Sequence, residues 1–539
     1  MASPVFFVFL TLLFAQLSLL PSKLLLLPLT HSLSAAQFNN TPHLLKSTSA
    51  RSAARFHHLR HRNQPTTKHR RQVSLPLSPG TDYTLSFSLG STPPQTISLY
   101  MDTGSDVVWL PCSPFECILC EGKYSPATIP NPLPLDLSSS TPVPCKSRAC
   151  SAAHSHLSSS DLCATARCPL ESIELSECGS FSCPQFYYAY GDGSLIARLY
   201  SDSLVIPMSS PSLILPNFTF GCAHSALGEP IGVAGFGRGV LSLPAQLASY
   251  SPQMGNQFSY CLVSHSFDNE SVRRPSPLIL GRYSADEKEK RFGDVGDEFA
   301  YTPMLDNPKH PYFYCVGLEA VSVGKRRLPA PESMKRVDGR GNGGMVVDSG
   351  TTYTMLPKEL YESVVAEFGH RVGQFHKRAS STEGRTGLGP CYHVDDSVVS
   401  KVGSVNVPPL VLHFGGNSTV VMPRKNYFYE FFDGGDDGKV KRKVGCMMLM
   451  NGGDFPDSGG PAGLLGNYQQ QGLEVVYDLE NRRVVNPERV EFGIDCTWGL
   501  GPELGGLVKL QLLYDHLLVS CFLVPFKRKV ALITVAFGI

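Results

Sequence analysis

Two short segments of this 539-residue chain carry residue types and spacings that could do hydrolytic chemistry together. In the first, Ile97-Ser-Leu-Tyr-Met runs as an apolar strand into Asp102-Thr103-Gly104-Ser105; in the second, Gly344-Met-Val-Val runs into Asp348-Ser349-Gly350-Thr351. Each aspartate is followed, 133 and 118 residues later, by two small or apolar residues and a glycine, Val233-Ala234-Gly235 and Leu464-Leu465-Gly466. One Asp-Thr-Gly arises easily by chance. Two, each with its own later glycine loop, make an internal repeat. Two carboxylates a few Å apart cannot both ionise, so one keeps a proton while the other stays charged. Such a pair can take a proton from water and give one to a departing group, with no metal. Asp102 and Asp348 are therefore the expected catalytic residues. Gly104 and Gly350 let the backbone turn tightly beside its twin. Thr103, Ser105, Ser349 and Thr351 are placed to orient the carboxylates, and ordinary turn chemistry would also favour them there.

The elements that must hold these residues read as β. Gly (49) and Pro (42) are abundant, and the alternation in Tyr83-Thr-Leu-Ser-Phe-Ser-Leu89 is that of a half-buried strand. The same texture continues to about Trp498. The clearest helical exception is Pro357 to Val372, where Leu360, Val364 and Phe368 recur at four-residue spacing. Arg282 to Glu298, charged and glycine-containing, reads as a connector between two β-rich halves.

The net charge of +1 conceals an asymmetry: residues 1–72 hold nine Lys/Arg and no acid, whereas residues 73–499 hold 34 basic and 44 acidic residues. Residues 4–29 are almost wholly apolar and are followed by Ser34, Ala35 and Ala36, which reads as a secretory leader over 1–36; an uncleaved anchor is the alternative. Sixteen cysteines agree with export, and nine of them lie between Cys112 and Cys183. Cys117-x-x-Cys120 has a zinc-ligand spacing, but no second pair follows at finger spacing, so disulfides are expected and no metal. Sequons stand at Asn39, Asn217, Asn269 and Asn417. The segment 37–72, with Arg51, Arg55, Arg60, Arg62, Arg70 and Arg71, could bind nucleic acid or a membrane, or simply be solvated. The acidic body argues against a nucleic-acid partner. Asp338-Gly-Arg-Gly-Asn-Gly fails as a calcium loop, and no serine-hydrolase elbow, zinc-protease helix or phosphate loop occurs. No cofactor is expected.

The chain resembles the pepsin-like aspartic proteases from about Tyr83 to Cys496, and more closely their cysteine-rich plant branch that includes nepenthesins. Met101-Asp-Thr-Gly-Ser-Asp-Val-Val-Trp109 matches the first active-site segment, Asp348-Ser-Gly-Thr-Thr the second, and Phe186-Tyr-Tyr-Ala-Tyr190-Gly-Asp-Gly-Ser194 the flap hairpin. The resemblance implies an all-β, bilobal pepsin-like fold: two related β-barrel-like lobes, a few short helices and a cleft between them. The expected order is leader 1–36, basic propeptide 37–72, N-terminal lobe 73–290 with a cysteine-rich insertion at 112–183, C-terminal lobe 291–498 and a divergent tail 499–539. It implies a monomeric endopeptidase acting on proteins or peptides at acidic pH, secreted to the apoplast or cell wall, with the vacuole as the other destination. Tyr190 would cover the substrate with Trp109 as its partner, on the turn Gly191-Asp192-Gly193. The basic propeptide would cover the acidic cleft at neutral pH and leave on acidification. Neither apolar run in 499–539 is long enough to span a bilayer, and membrane attachment is not expected. The rival reading is a catalytically silent protein of this fold that acts as an inhibitor or binding module.

Overall fold

The computed structural model describes residues 25–31, 41–61, 83–90, 93–118, 135–174, 177–190, 193–206, 213–228, 231–251, 256–263, 276–281, 300–394, 407–434, 442–454 and 460–486. Most of these are strands. Tyr83–Leu89 pairs antiparallel with Gln95–Asp102, and its apolar residues Tyr83, Leu85, Phe87 and Leu89 are buried while Ser86 faces out. Alternation of apolar and polar side chains is thus read directly as inside and outside.

Each half places its aspartate in the same way. Gln95–Asp102 runs parallel to Val233–Gly235, with Asp102 opposite Gly235. Met345–Val347 runs parallel to Gly463–Leu465, with Val347 opposite Leu465, so the next residue, Asp348, leaves the strand at the matching point. The late glycine loops of the repeat are the parallel neighbours of the aspartate strands. The helix Lys358–Val372 buries Leu360, Val364 and Phe368, and Pro357 occupies its N-cap position.

A sheet shared by both halves lies beneath them. Leu25–His31, Ser276–Leu280, Gln257–Cys261, Glu474–Asp478, Arg483–Asn486 and Ala300–Leu305 pair antiparallel in that order, so residues over 450 positions apart belong to one ladder. The two lobes are thereby joined through one sheet. They share a continuous core in which Phe258 stacks on Tyr477 and Tyr314 packs edge-on and tilted against the two.

Two features of the N-terminal region differ from a plain leader followed by a solvated segment. Leu25–His31, inside the expected leader 1–36, forms an edge strand against Ser276–Leu280 and touches Tyr83 and Thr84. Its apolar run reads as leader or strand, and in the full chain it lies along Ser276–Leu280 as a strand. Thr41–His61 is a single helix that packs onto the second half, burying Leu44, Leu45, Phe56 and Leu59. Its buried stripe continues through Thr48, Ser52 and Arg55, which is why no apolar periodicity marks it in the sequence. Thr48 Oγ1 lies 3.0 Å from Tyr353 Oη, Ser49 Oγ donates to Thr386 O (3.0 Å), and Tyr353 N donates to Ser52 Oγ (3.2 Å).

The cysteine-rich insertion folds as three short helices, Arg148–Ala153, Ser159–Thr165 and Leu170–Glu174, stapled by Cys145–Cys163, Cys150–Cys183 and Cys168–Cys178. So small a unit has little apolar surface of its own, and cross-links supply the constraint. Cys112–Cys222 and Cys391–Cys446 are also bonded, as are Cys117 and Cys261; Cys315 is a buried thiol. Asn217 and Asn417 are exposed, whereas Asn39, Asn269, Cys120, the connector 282–298 and the tail 499–539 lie outside the described residues.

Candidate active site

Asp102 and Asp348 meet, both buried, where the two aspartate turns face one another. The turns are locked by a reciprocal set of hydrogen bonds. Thr103 N donates to Ser349 Oγ (3.0 Å) and Ser349 N to Thr103 Oγ1 (2.9 Å), while Thr103 Oγ1 donates to Val347 O (3.1 Å) and Ser349 Oγ to Met101 O (3.1 Å). Each hydroxyl accepts from the other turn's amide and donates to the strand that precedes it. Buried groups so completely paired fix a geometry, because breaking either bond leaves its partner unsatisfied.

The carboxylates are held by their own turns. Gly104 N donates to Asp102 Oδ1 (2.9 Å), Gly350 N to Asp348 Oδ1 (2.8 Å) and Thr351 Oγ1 to Asp348 Oδ2 (2.6 Å). Ser105 is buried beside Asp102 and favours its charged form. A methyl group on Gly104 would come within 2.7 Å of the Asp348 carboxyl, and one on Gly350 would strike Asp102, so only glycine allows the approach. Asn467 Nδ2 donates to Ser349 O (2.9 Å) and Gln470 Nε2 to Leu465 O (2.8 Å), bracing the second turn from behind.

A cation occupies the space between the carboxylates. From the helix Thr41–His61, Arg55 Nη2 lies 2.6 Å from Asp102 Oδ1 and 3.4 Å from Asp348 Oδ1, and its Nε lies 3.0 Å from Asp348 Oδ2. One nitrogen thus reaches both inner oxygens, the place a water would need in order to be activated by the pair. Burial raises the Asp102 carboxyl, but the charge and hydrogen bond of Arg55 outweigh it and leave Asp102 below the usual range. Burial also raises Asp348; Arg55 opposes this, the Asp102 charge adds to it, and Asp348 stays above the usual range. The two carboxyls are driven apart in this closed state, Asp102 downward by Arg55 and Asp348 upward by burial.

Sequence reasoning brought Asp102, Thr103, Gly104, Ser105, Asp348, Ser349, Gly350 and Thr351 forward, and the fold gathers them at one point. Trp109 is buried in the strand Trp109–Ile118, opposite Gly221 and Val233. Tyr190 ends the strand Phe186–Tyr190, its backbone opposite Gly193, while Gly191 and Asp192 lie outside the described residues.

Asp106 went unremarked although it follows the first motif directly. Its Oδ1 accepts from Gly239 N (2.7 Å), and a side chain at Gly239 would overlap its carboxyl. Burial pushes Asp106 up to about 6, with the Gly239 and Leu241 amides opposing. Folded Asp106 therefore keeps its proton to a higher pH than the unfolded chain does. Stability should fall as pH rises from the ordinary aspartate range to about 6 and then level off. Asp106→Asn, which keeps an acceptor for Gly239, should remove that slope, a difference of about 1–3 kcal/mol. Thermal unfolding of both chains at pH 4 and pH 7 measures it; parallel pH curves would refute it.

Comparison with known proteins follows this geometry. The chain is 57% identical over 477 residues to a probable aspartyl protease of Arabidopsis thaliana, covering 85% of this chain and 91% of that protein. It is 30% identical over 405 residues to aspartic proteinase nepenthesin-1 of Nepenthes gracilis, covering 74% and 76%. The chain belongs to the pepsin-like aspartic protease family.

Within that family it falls with the nepenthesin-like proteins. Residues 83–282 match the family described as xylanase inhibitor N-terminal, and 313–485 that described as xylanase inhibitor C-terminal. In fold the pepsin-like chain is similar to conglutin gamma from lupine seeds (TM-score 0.54, 18% identity, 87% of this chain and 95% of that one). It is likewise similar to basic 7S globulin from soybean (TM-score 0.53, 19% identity, 87% and 97%). These likenesses carry the bilobal β fold. Among the described residues no helix is long and apolar enough to cross a membrane.

Proposed function

We propose that this chain is an aspartic endopeptidase kept latent by its own basic helix. The observation that carries the reading is the pair Asp102 and Asp348, buried together, with Gly104 N, Gly350 N and Thr351 Oγ1 donating to their oxygens. Once Arg55 withdraws, a water takes its place between the inner oxygens. The ionised carboxylate accepts a proton from that water as its oxygen attacks the peptide carbonyl carbon, and the protonated carboxyl donates to the carbonyl oxygen. Collapse of the resulting diol breaks the C–N bond, with a proton passing to the departing amine. The pair ends with one proton, as it began. Tyr190, on its hairpin with Gly191, Asp192 and Gly193, would close over the substrate as a flap, with Trp109 behind it.

Latency follows from charge. The helix Thr41–His61 carries Lys46, Arg51, Arg55 and Arg60 and no acid. Its hold depends on ionised carboxylates, so acid weakens it. The disulfide-rich body supports folding in the secretory pathway, where Asn217 and Asn417 are accessible to glycosylation. The match to families described as xylanase inhibitors favours one second reading, a silent binding protein. That reading leaves the donors from Gly104, Gly350 and Thr351 to the two carboxylates without a use. Hydrolysis of denatured haemoglobin or casein from pH 3 to 7, with and without pepstatin, separates the two. Acid-dependent, pepstatin-sensitive cleavage is expected; a folded, helix-released chain inert at every pH would favour the binding protein.

A further inference from the structure

The basic helix fills more of the cleft than the space between the carboxylates. Immediately after Arg55, Phe56 enters an apolar pocket of the second half, which it shares with Leu59, Phe313, Val346, Met355 and Leu464. Four residues on, Arg60 Nη1 donates to Gly452 O (2.5 Å) and Nη2 to Asp454 O (2.7 Å), and the guanidinium lies 5.1 Å from the centre of the Phe56 ring. Arg60 is almost fully buried.

The two acceptor carbonyls are presented by a turn anchored through neighbouring backbone groups. Gly452 N donates to Leu356 O (2.7 Å), Gly453 N to Asn451 Oδ1 (2.8 Å), and Lys358 N to Gly453 O (2.9 Å). The Gly452 and Asp454 carbonyls are left aimed at the cleft, at the spacing of a guanidinium fork. The exposed Asp454 carboxylate adds negative charge at the rim, with Lys358 Nζ 3.6 Å away. Burial of Arg60 brings its pKa down to about 10, the Asp454 charge opposing. The fork is thus desolvated where it binds, which strengthens its hydrogen bonds to the carbonyls.

We infer that the turn Asn451–Asp454 is a guanidinium-accepting subsite of the cleft, which selects substrates carrying arginine two positions after a bulky apolar residue. This rests on the reading of the chain as a peptidase. Along a helix Phe56 and Arg60 are separated by about 6 Å of rise. In an extended peptide, residues two apart are separated by about 6.6–6.8 Å and point to the same side. An extended Phe-x-Arg therefore presents the same two groups at nearly the same distance. Lysine offers a compact ammonium rather than the planar two-nitrogen fork that Arg60 directs at the carbonyls.

The test uses three quenched peptides identical except for Phe-Ala-Arg, Phe-Ala-Gln or Phe-Ala-Glu, given to the full chain at acid pH after release of its basic segment. The kcat/KM value should fall roughly five- to tenfold from Arg to Gln, and further for Glu. Asp454→Lys should narrow that preference. Rates within twofold of one another, with cleavage intact, would overturn the subsite and leave the peptidase reading standing. If no peptide is cut, the peptidase reading fails. Calorimetric titration of the same peptides into the Asp102→Asn chain then decides the subsite alone: tighter binding of the arginine peptide upholds it, and equal dissociation constants end it.

Discussion

Arg55→Ala should abolish latency: the full chain should cleave a quenched peptide at pH values where the natural chain is silent. Arg55 supplies the hydrogen bonds that tie the helix to both carboxylates. Removing one partner of a buried ion pair leaves the other charge uncompensated and costs about 3–5 kcal/mol. Water can enter this cleft once the helix loosens, so a loss of about 2–3 kcal/mol is expected, roughly 30- to 150-fold in the closed-to-open ratio. The sign of the pH effect follows from Asp102. Its carboxyl is depressed while Arg55 is docked, so the docked state is stabilised above the pKa of the freed pair. That stabilisation disappears as pH falls from the freed value to the docked one. The natural chain should therefore open only in acid, and Arg55→Ala should open nearer neutrality. Arg55→Lys keeps a charge but not the fork, and should lie between them. Hydrogen exchange in residues 41–61, followed against pH beside the cleavage rate, checks both. Unchanged onset of cleavage in Arg55→Ala would assign latency to the apolar contacts of Leu44, Leu45, Phe56 and Leu59.

Asp102→Asn and Asp348→Asn should each lower kcat by at least about 10³-fold, since each removes a proton-transfer partner for which the other carboxyl cannot substitute. KM should change little, because neither oxygen contributes to the apolar pocket. The two variants differ in the closed state. Asp102→Asn removes the charge nearest Arg55 Nη2, so its helix should release more readily while the opened chain stays inert. Chains that open on acidification, by hydrogen exchange, yet do not cleave would separate catalysis from gating. Residual activity near that of the natural chain in either variant would remove the carboxylate pair from the mechanism.

Much of the site was legible in the amino-acid sequence because its determinants are local. Asp102-Thr103-Gly104 and Asp348-Ser349-Gly350 each need one strand, one turn and a missing side chain, all encoded within a few residues. Their repetition, with Gly235 and Gly466 following at similar distances, revealed two equivalent halves before any contact was known. The strand Tyr83–Leu89 and the helix Lys358–Val372 were legible for the same reason, since their apolar periods match the faces they bury. The charge asymmetry also pointed to a basic segment over an acidic body.

The remainder depended on contacts between residues remote in the chain. Six arginines in 37–72 were visible as candidates, but nothing local distinguishes Arg55 from Arg51; only docking of the helix sets Arg55 between aspartates 47 and 293 residues away. The helix itself was hidden, because its buried stripe runs through Thr48, Ser52 and Arg55, whose polar groups find partners in the body. The strand Leu25–His31 is apolar enough to be read as a leader, and the free edge of Ser276–Leu280 gives it a ladder. Disulfide pairing had the same character: nine crowded cysteines allow many connectivities, and the distances set by the fold select among them. Local propensity and pattern place the two aspartates on their turns; long-range packing brings the turns together and inserts one arginine between them.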